Sequence, residues 1–417
     1  MTVAKPPTRT EARIAVGLTV GLLCFLLLLG ALINDPRGYE FAAFYASGLI
    51  VRQGDASKLY DLREQARIQQ QLLKRENLIV DPHPPFEALL FAALARLSFL
   101  KAYIFWGLIN VSLWLVFQHL VRRNSCRPIQ PYRYLLLCSA FFPLWVALMR
   151  GQTSVLLLLL FTLTFIGLKR GQDFRAGFFL GLGLFKFAVV LPFALICCLR
   201  RKWKLMAGFG VASLLLGLLS VITVGTAGVR SYADLLIDTI RHPDTPVHRG
   251  MRIWVQMPTV NGFFATLLAG RMTGTYISLL AAGVSALLIL FVAWRWRRED
   301  RVDPGRSLDL MFAAALAVSE VTAPHLYIYD VTLMLLAVLL AMGSSQWLQA
   351  SAQRTIIVAA TVTLYAGPVY VMLVRRSDRL YILAPVLMAF ALAAMSLASK
   401  VVESPAGSVI EVQVDES

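Results

Sequence analysis

The sequence predicts an all-α, polytopic membrane protein of roughly a dozen spans. Hydrophobic residues fill 58% of the 417 positions and charged residues only 15%, whereas a soluble chain carries about 25% charge. Mean hydropathy is +0.67. Apolar runs recur from residue 14 almost to residue 400. The chain therefore reads as one membrane-embedded domain over 1–400 with a short polar tail, 401–417, and not as the several domains expected of a soluble chain this long.

Spans are predicted near 12–33, 101–121, 134–149, 153–169, 175–187, 188–200, 203–224, 274–296, 307–322, 327–343, 354–373 and 380–399. The stretch Ile14–Ile33 is long enough to cross a bilayer and follows Lys5, Arg9 and Arg13, so it reads as an uncleaved first helix with a cytoplasmic N-terminus. Basic clusters at Arg122-Arg123, Lys169-Arg170, Arg200 to Lys204 and Arg295 to Arg301 mark cytoplasmic loops. The run Phe178–Leu199 has basic residues at both ends. A hairpin turning within the membrane near Phe185-Lys186-Phe187 returns both ends to the cytoplasm, which a single helix does not. Residues 84–100 and 258–270 read as helices lying at the outer face. That threading leaves two external loops, 34–83 and 225–257, and a cytoplasmic C-terminus. Arg375, Arg376 and Arg379 violate the charge rule by falling outside.

Composition also excludes function classes. The net charge of +16 follows loop topology and does not indicate nucleic-acid binding. Neither a P-loop nor a GxGxxG appears, so no nucleotide site is expected. The cysteines have no CxxC spacing and the histidines no HxxxH or HExxH, so no metal or other cofactor is indicated. No internal repeat relates the two halves, which weighs against a transporter built on inverted repeats.

Residues suited to chemistry gather on the predicted outer side. Asp35 and Glu40 follow the first span. Glu40 opens a short interfacial helix with aromatics at 41, 44 and 45, and such a carboxylate can act as general base or simply cap and solvate a helix end. His83 precedes Pro84-Pro85 at a helix start, where it could bind phosphate or cap the turn. Arg150-Gly151-Gln152-Thr153-Ser154 offers a phosphate-pairing cation and a sugar-bonding amide, or ordinary capping groups. Lys186 stands deep in an apolar run, where charge is costly and usually functional. It could bind a lipid phosphate or pair with a buried carboxylate such as Glu320 or Asp330. Glu320, His325, Tyr327, Tyr329 and Asp330 cluster outside, with His242, Asp244, His248, Arg249, Arg252 and Asn261 in the second loop.

The stretches EFAAFYASGLIVRQGDASKLYD (40–61), PHPPFEALLFAALARLS (82–98), RGQTSVLLLLL (150–160), RGQDFRAGFFLGLGLFKFAVVLPF (170–193) and PHLYIYDVTLMLL (324–336) resemble glycosyltransferase family 87. This family includes mycobacterial mannosyltransferases, and its enzymes depend on polyprenyl-phosphate sugars and have the multi-span C-type fold. The resemblance implies a C-type fold with interfacial helices in the first external loop. It implies transfer of a hexose, mannose by family analogy, from a polyprenyl-phosphate donor to a glycan or glycolipid acceptor on the outer face of the plasma (inner) membrane. It implies an acidic base in the first external loop. The family's usual Asp-Phe pair is Glu40-Phe41 here, with Asp35 the substitute candidate. The donor's phosphate and sugar are then assigned to Lys186, His83, Arg150, Gln152, His325, Asp330 and Asn261. A single displacement inverts the anomeric centre and needs no ATP. The alternatives are a transporter or flippase of lipid-linked substrates and a catalytically inactive homologue.

Overall fold

A computed structural model describes residues 39–73, 79–125, 131–241, 257–302, 305, 307–348, 351–377 and 382–399. The predicted first span, Asp35, Arg379, the second-loop residues His242, Asp244, His248, Arg249 and Arg252, and the tail 401–417 lie outside the described residues. Regular structure among the described residues is helical throughout. Three helices, α1 (Tyr39–Arg52), α2 (Leu62–Leu73) and α3 (Pro85–Leu94), form a cap. The bundle comprises α4 (Phe99–Asn124), α5 (Pro131–Ser139), α6 (Phe142–Arg150), α7 (Ser154–Lys169), α8 (Asp173–Leu182), α9 (Phe187–Leu199), α10 (Trp203–Arg241), α11 (Val260–Leu267), α12 (Gly274–Val302), α13 (Leu308–Val321), α14 (Met334–Gly343), α15 (Ser351–Tyr365), α16 (Gly367–Ser377) and α17 (Leu383–Ala398).

Four stretches are long and apolar enough to cross a membrane: Phe99–Asn124, Asp173–Leu199, Trp203–Thr239 and Gly274–Val302. On α4 one face buries Trp106, Trp114 and Phe117 while the other exposes Leu100, Ile104, Phe105, Leu108 and Leu115. α10 and α12 likewise expose Leu214, Leu218, Ile222, Leu279, Leu287 and Leu290. Apolar faces this extensive suit contact with lipid and not with water. At the centre, every residue of α13 is buried. A mostly apolar helix buried on every side belongs inside a bundle.

The chain reverses at Lys186. Taken end to end, Asp173–Leu199 has the length of one crossing, but its packing shows two short helices running opposite ways. α8 lies against α10 in parallel register. A Cβ on Gly177 would meet the Leu205 carbonyl at 1.8 Å, and one on Gly208 would meet the Phe174 carbonyl at 1.9 Å. Further along, Gly181 abuts Phe209 and Ala212. Small residues let helix backbones approach this closely in membranes. Since α8 and α10 start at the same end, α9 must carry the chain back. Phe193, halfway along α9, meets Phe161 of α7 at 5.2 Å and Phe312 of α13 at 5.0 Å. Arg200, just past α9, pairs with Asp300 at 2.7 Å. Lys169, just before α8, pairs with Asp309 at 3.3 Å. The basic ends thus share one end of the bundle and Lys186 occupies the other.

Other predicted spans divide where proline or glycine intervenes. The span 134–149 becomes α5 and α6, separated by extended backbone at Phe141 (φ −77°, ψ 101°) with Pro143 in the first turn of α6. The span 354–373 becomes α15 and α16 at Gly367-Pro368. Proline lacks the amide that continues a helix and clashes with the preceding turn. The span 327–343 starts as a 3₁₀ turn, Asp330–Leu333, ahead of α14. Gly225, at φ 68° and ψ 176°, breaks α10 where the second external loop was expected to begin. The chain then stays helical to Arg241 and packs against the cap, with the Tyr232 ring tilted against that of Tyr60 at 5.0 Å.

The α8–α10 contact gives a direct test. Gly208→Val should lower stability by about 3 kcal/mol, since its side chain must displace backbone. Thermal unfolding in detergent measures this, and an unchanged transition contradicts the packing described.

Candidate active site

The site is assembled on one turn, Arg150-Gly151-Gln152. Gly151 ends α6 in the left-handed region at φ 65°. Its amide bonds Leu148 O at 3.1 Å and that of Gln152 bonds Ala147 O at 2.9 Å, which ties off the helix terminus. Trp106 Nε1 donates to Gly151 O at 2.8 Å. A Cβ on Gly151 would lie 2.7 Å from the Phe41 Cβ, so the first turn of α1 rests directly on this glycine. That contact sets Glu40 opposite Arg150, whose Nη1 donates to Glu40 Oε1 at 2.5 Å. Glu40 Oε2 is buried without a hydrogen-bond partner.

The hairpin tip supplies the second half. A 3₁₀ turn, Gly183–Lys186, ends α8, and Lys186 (φ −117°, ψ 59°) leads into α9. Its Nζ donates to Gln152 Oε1 at 3.1 Å and to Asp330 Oδ1 at 2.5 Å. Ser154 Oγ donates to the same Asp330 oxygen at 2.9 Å, and the Tyr327 amide donates to Asp330 Oδ2 at 3.2 Å. Nζ sits 5.1 Å from the centre of the Tyr329 ring, within cation–π range. The Lys186 and Asp330 side chains are only 9% and 10% exposed, so each charge depends on the other and on these extra bonds. Gln152, held by Lys186, also favours the ionised form of Glu40.

A family model for glycosyltransferase family 87 matches residues 82–319, more than half of the chain. The chain belongs to glycosyltransferase family 87. No curated protein and no solved structure matches it. The match runs through His83, Arg150, Gln152, Lys186 and Asn261, while Glu40, His325 and Asp330 flank it. Family membership makes this a membrane glycosyltransferase, and the apolar helix faces agree.

In this family 87 enzyme Glu40 is tuned by opposing effects. Burial raises its carboxyl above the ordinary value of 4.5, while the charge and hydrogen bond of Arg150, then Gln152 and Lys186, pull it back part of the way. His83 Nδ1 bonds Glu87 Oε2 one helical turn on. Burial opposes the charged imidazole, but the Glu87 carboxylate and then Asp81 outweigh it, so the His83 pKa is raised. Lys186 is near enough for its charge to act on both His83 and Glu87.

Of the residues singled out by sequence, Glu40, Arg150, Gln152, Lys186 and Asp330 meet directly, and His83 lies alongside. His325 reaches the cluster through rings: 4.8 Å to Tyr327, then 5.6 Å from Tyr327 to Tyr329. Asn261 is more peripheral, its Nδ2 donating to Pro324 O at 3.4 Å. Of the two carboxylates considered for Lys186, Asp330 is the partner, and both Glu320 oxygens stay buried without a bond. Glu87 and Ser47, which bonds Asp81 at 2.5 Å, were not singled out. The i, i+4 spacing of His83 and Glu87 was a signal for the first, and Ser47 had none. No group of three or more metal-ligating side chains occurs among the described residues. A recess lined by Phe291, Trp294, Arg298 and Ser399 lies at the opposite end and holds none of these groups.

The ion pair is testable through stability. Lys186→Met leaves Asp330 charged and buried, which should cost about 3–5 kcal/mol. Adding Asp330→Asn should restore much of that loss in a thermal double-mutant cycle. Strictly additive losses contradict the coupling.

Proposed function

We propose that this enzyme transfers a hexose, mannose by family analogy, from a polyprenyl-phosphate donor to a hydroxyl of a glycan or glycolipid on the non-cytoplasmic face, with inversion. One observation carries the reading: the turn Arg150-Gly151-Gln152 holds, through Arg150, a partly buried carboxylate with an unused oxygen and, through Gln152, an ammonium set at the tip of a membrane hairpin. The first suits a general base and the second a lipid phosphate.

Glu40 takes the proton of the acceptor hydroxyl on Oε2, while Arg150 fixes Oε1 and with it the orientation of the carboxyl. The acceptor oxygen attacks the anomeric carbon, the bond to the phosphate oxygen breaks, and polyprenyl phosphate departs with the electron pair. Lys186 has three N–H donors, two of which go to Gln152 and Asp330. The third is left for a phosphate oxygen, whose charge a preorganised donor stabilises as it develops. Arg150, Gln152, His83, His325, Asp330 and Asn261 complete the donor site. In this reading the remaining short helices complete the C-type arrangement of about a dozen spans, with the cap α1–α3 outside the cytoplasm.

Glu40→Gln should abolish transfer, a loss of 10²-fold or more at about the scale of general-base removal, while the protein stays folded. Retained transfer from a panel of radiolabelled polyprenyl-phosphate sugars removes Glu40 from the mechanism. The base must be ionised, and its pKa is raised, so the acid limb of the rate profile should lie above pH 4.5. Arg150 lowers that pKa, so Arg150→Gln should push the limb to higher pH. A limb that stays in place or moves down contradicts the assignment.

A further inference from the structure

Glu87 is a carboxylate beside the site to which the reaction above gives no task. It sits in the first turn of α3, with its side chain 4% exposed, too enclosed to touch a substrate. Its only hydrogen-bonded oxygen is the one on His83 Nδ1, and Oε1 is buried without a partner. His83 is held on every other side. Its backbone N–H meets Asp81 Oδ1 at 3.3 Å, and its carbonyl accepts from Tyr60 OH at 2.7 Å. The Phe44 ring lies 5.0 Å from the imidazole. Asp81 is itself fixed by Ser47 of α1 at 2.5 Å. The imidazole remains 21% exposed, so a ligand can reach the ring that Glu87 grips but not Glu87 itself.

We propose that Glu87 is a positioning residue: it holds His83 by Nδ1 and keeps it an imidazolium, so that Nε2–H bonds a phosphate oxygen of the lipid donor beside Lys186. The reasoning is chemical. A neutral imidazole whose Nδ1 donates to a carboxylate has a bare Nε2 that repels an anionic oxygen. A protonated one presents a charged donor there. The charged and titratable groups around His83 are Glu87 on α3, Asp81 before it, Lys186 at the hairpin tip and the hydroxyl of Tyr60, with Tyr232 of α10 beside Asp81 and Glu87. Two carboxylates face one ammonium, so the balance favours the cation. This inference rests on the proposed phosphate-bearing donor.

The test follows binding and transfer across pH. A polyprenyl phosphate without sugar is the binding probe, with inorganic phosphate in parallel to show whether the headgroup alone suffices. Both readouts should weaken as pH rises and His83 loses its proton. Glu87→Gln keeps the shape but removes the charge, so this alkaline limb should move down by about one pH unit or more, and the donor KM should rise more than kcat falls. Glu87→Asp should recover part of the shift. Added to His83→Asn, Glu87→Gln should change nothing further. An unmoved limb, or an effect of Glu87→Gln that persists in the His83→Asn background, overturns the proposal and leaves Glu87 a structural residue. If Glu87→Gln does not fold, His83→Asn alone decides: an alkaline limb that survives in it also overturns the proposal. Shifted binding without any sugar transfer supports the His83–Glu87 role and sinks the glycosyltransfer reading. Transfer by the unaltered enzyme with no phosphate-binding limb does the reverse.

Discussion

The bundle and the site depend on one buried ion pair, Lys186 with Asp330. Lysine at that position is tolerated only because the hairpin tip delivers it to a carboxylate, an amide and an aromatic face at once. The reverse also holds. Asp330 draws the 3₁₀ turn after Tyr329, the start of α7 through Ser154, and the hairpin onto one point. The glycine contacts of α8 and α10 place the tip, and the Gly151–Phe41 contact places Glu40 against the same turn. A change in either glycine contact therefore reaches the chemistry without touching it.

The charges in this cluster are mostly paired, with Asp81 a further carboxylate beside His83. Arg150 answers Glu40, Asp330 answers Lys186, and His83 answers Glu87. Such a site does not attract an anion by excess charge. In the proposed reaction it offers oriented donors, already ordered and shielded from water, to an anion brought in by its lipid tail. That arrangement favours charge that develops during bond cleavage over charge already present. It also leaves Glu40 basic, because burial opposes its ionisation while Arg150 prevents its neutralisation from going too far.

Much of this was legible in the sequence. A lysine in an apolar run flanked by basic ends implied a hairpin, and its packing register shows one. Glu40 ahead of three aromatics implied a short helix opening with a carboxylate, and α1 is that helix. The turn at Arg150–Gln152 stood out because polar residues interrupt two apolar runs. What the sequence did not reveal was pairing at long range. Lys186 could meet Glu320 or Asp330 on spacing alone, and only the fold, which sets Ser154 and the hairpin tip beside the 3₁₀ turn, selects Asp330. Glu87 went unnoticed because a lone carboxylate in a short apolar helix resembles a solvated residue until its histidine is seen across one turn. Spans containing Pro143 and Pro368 read as continuous because hydropathy averages over a proline that breaks the backbone.

The central claim is that Glu40 and Lys186 line a single chamber that receives the lipid-linked phosphate. An experimental structure of the enzyme with a non-transferable polyprenyl-phosphate sugar bound tests it most directly. The account predicts a phosphate oxygen within hydrogen-bond reach of Lys186 Nζ and the acceptor site beside Oε2 of the Glu40 carboxyl. A headgroup seated elsewhere, with the Lys186–Asp330 pair and Glu40 untouched by ligand, contradicts it.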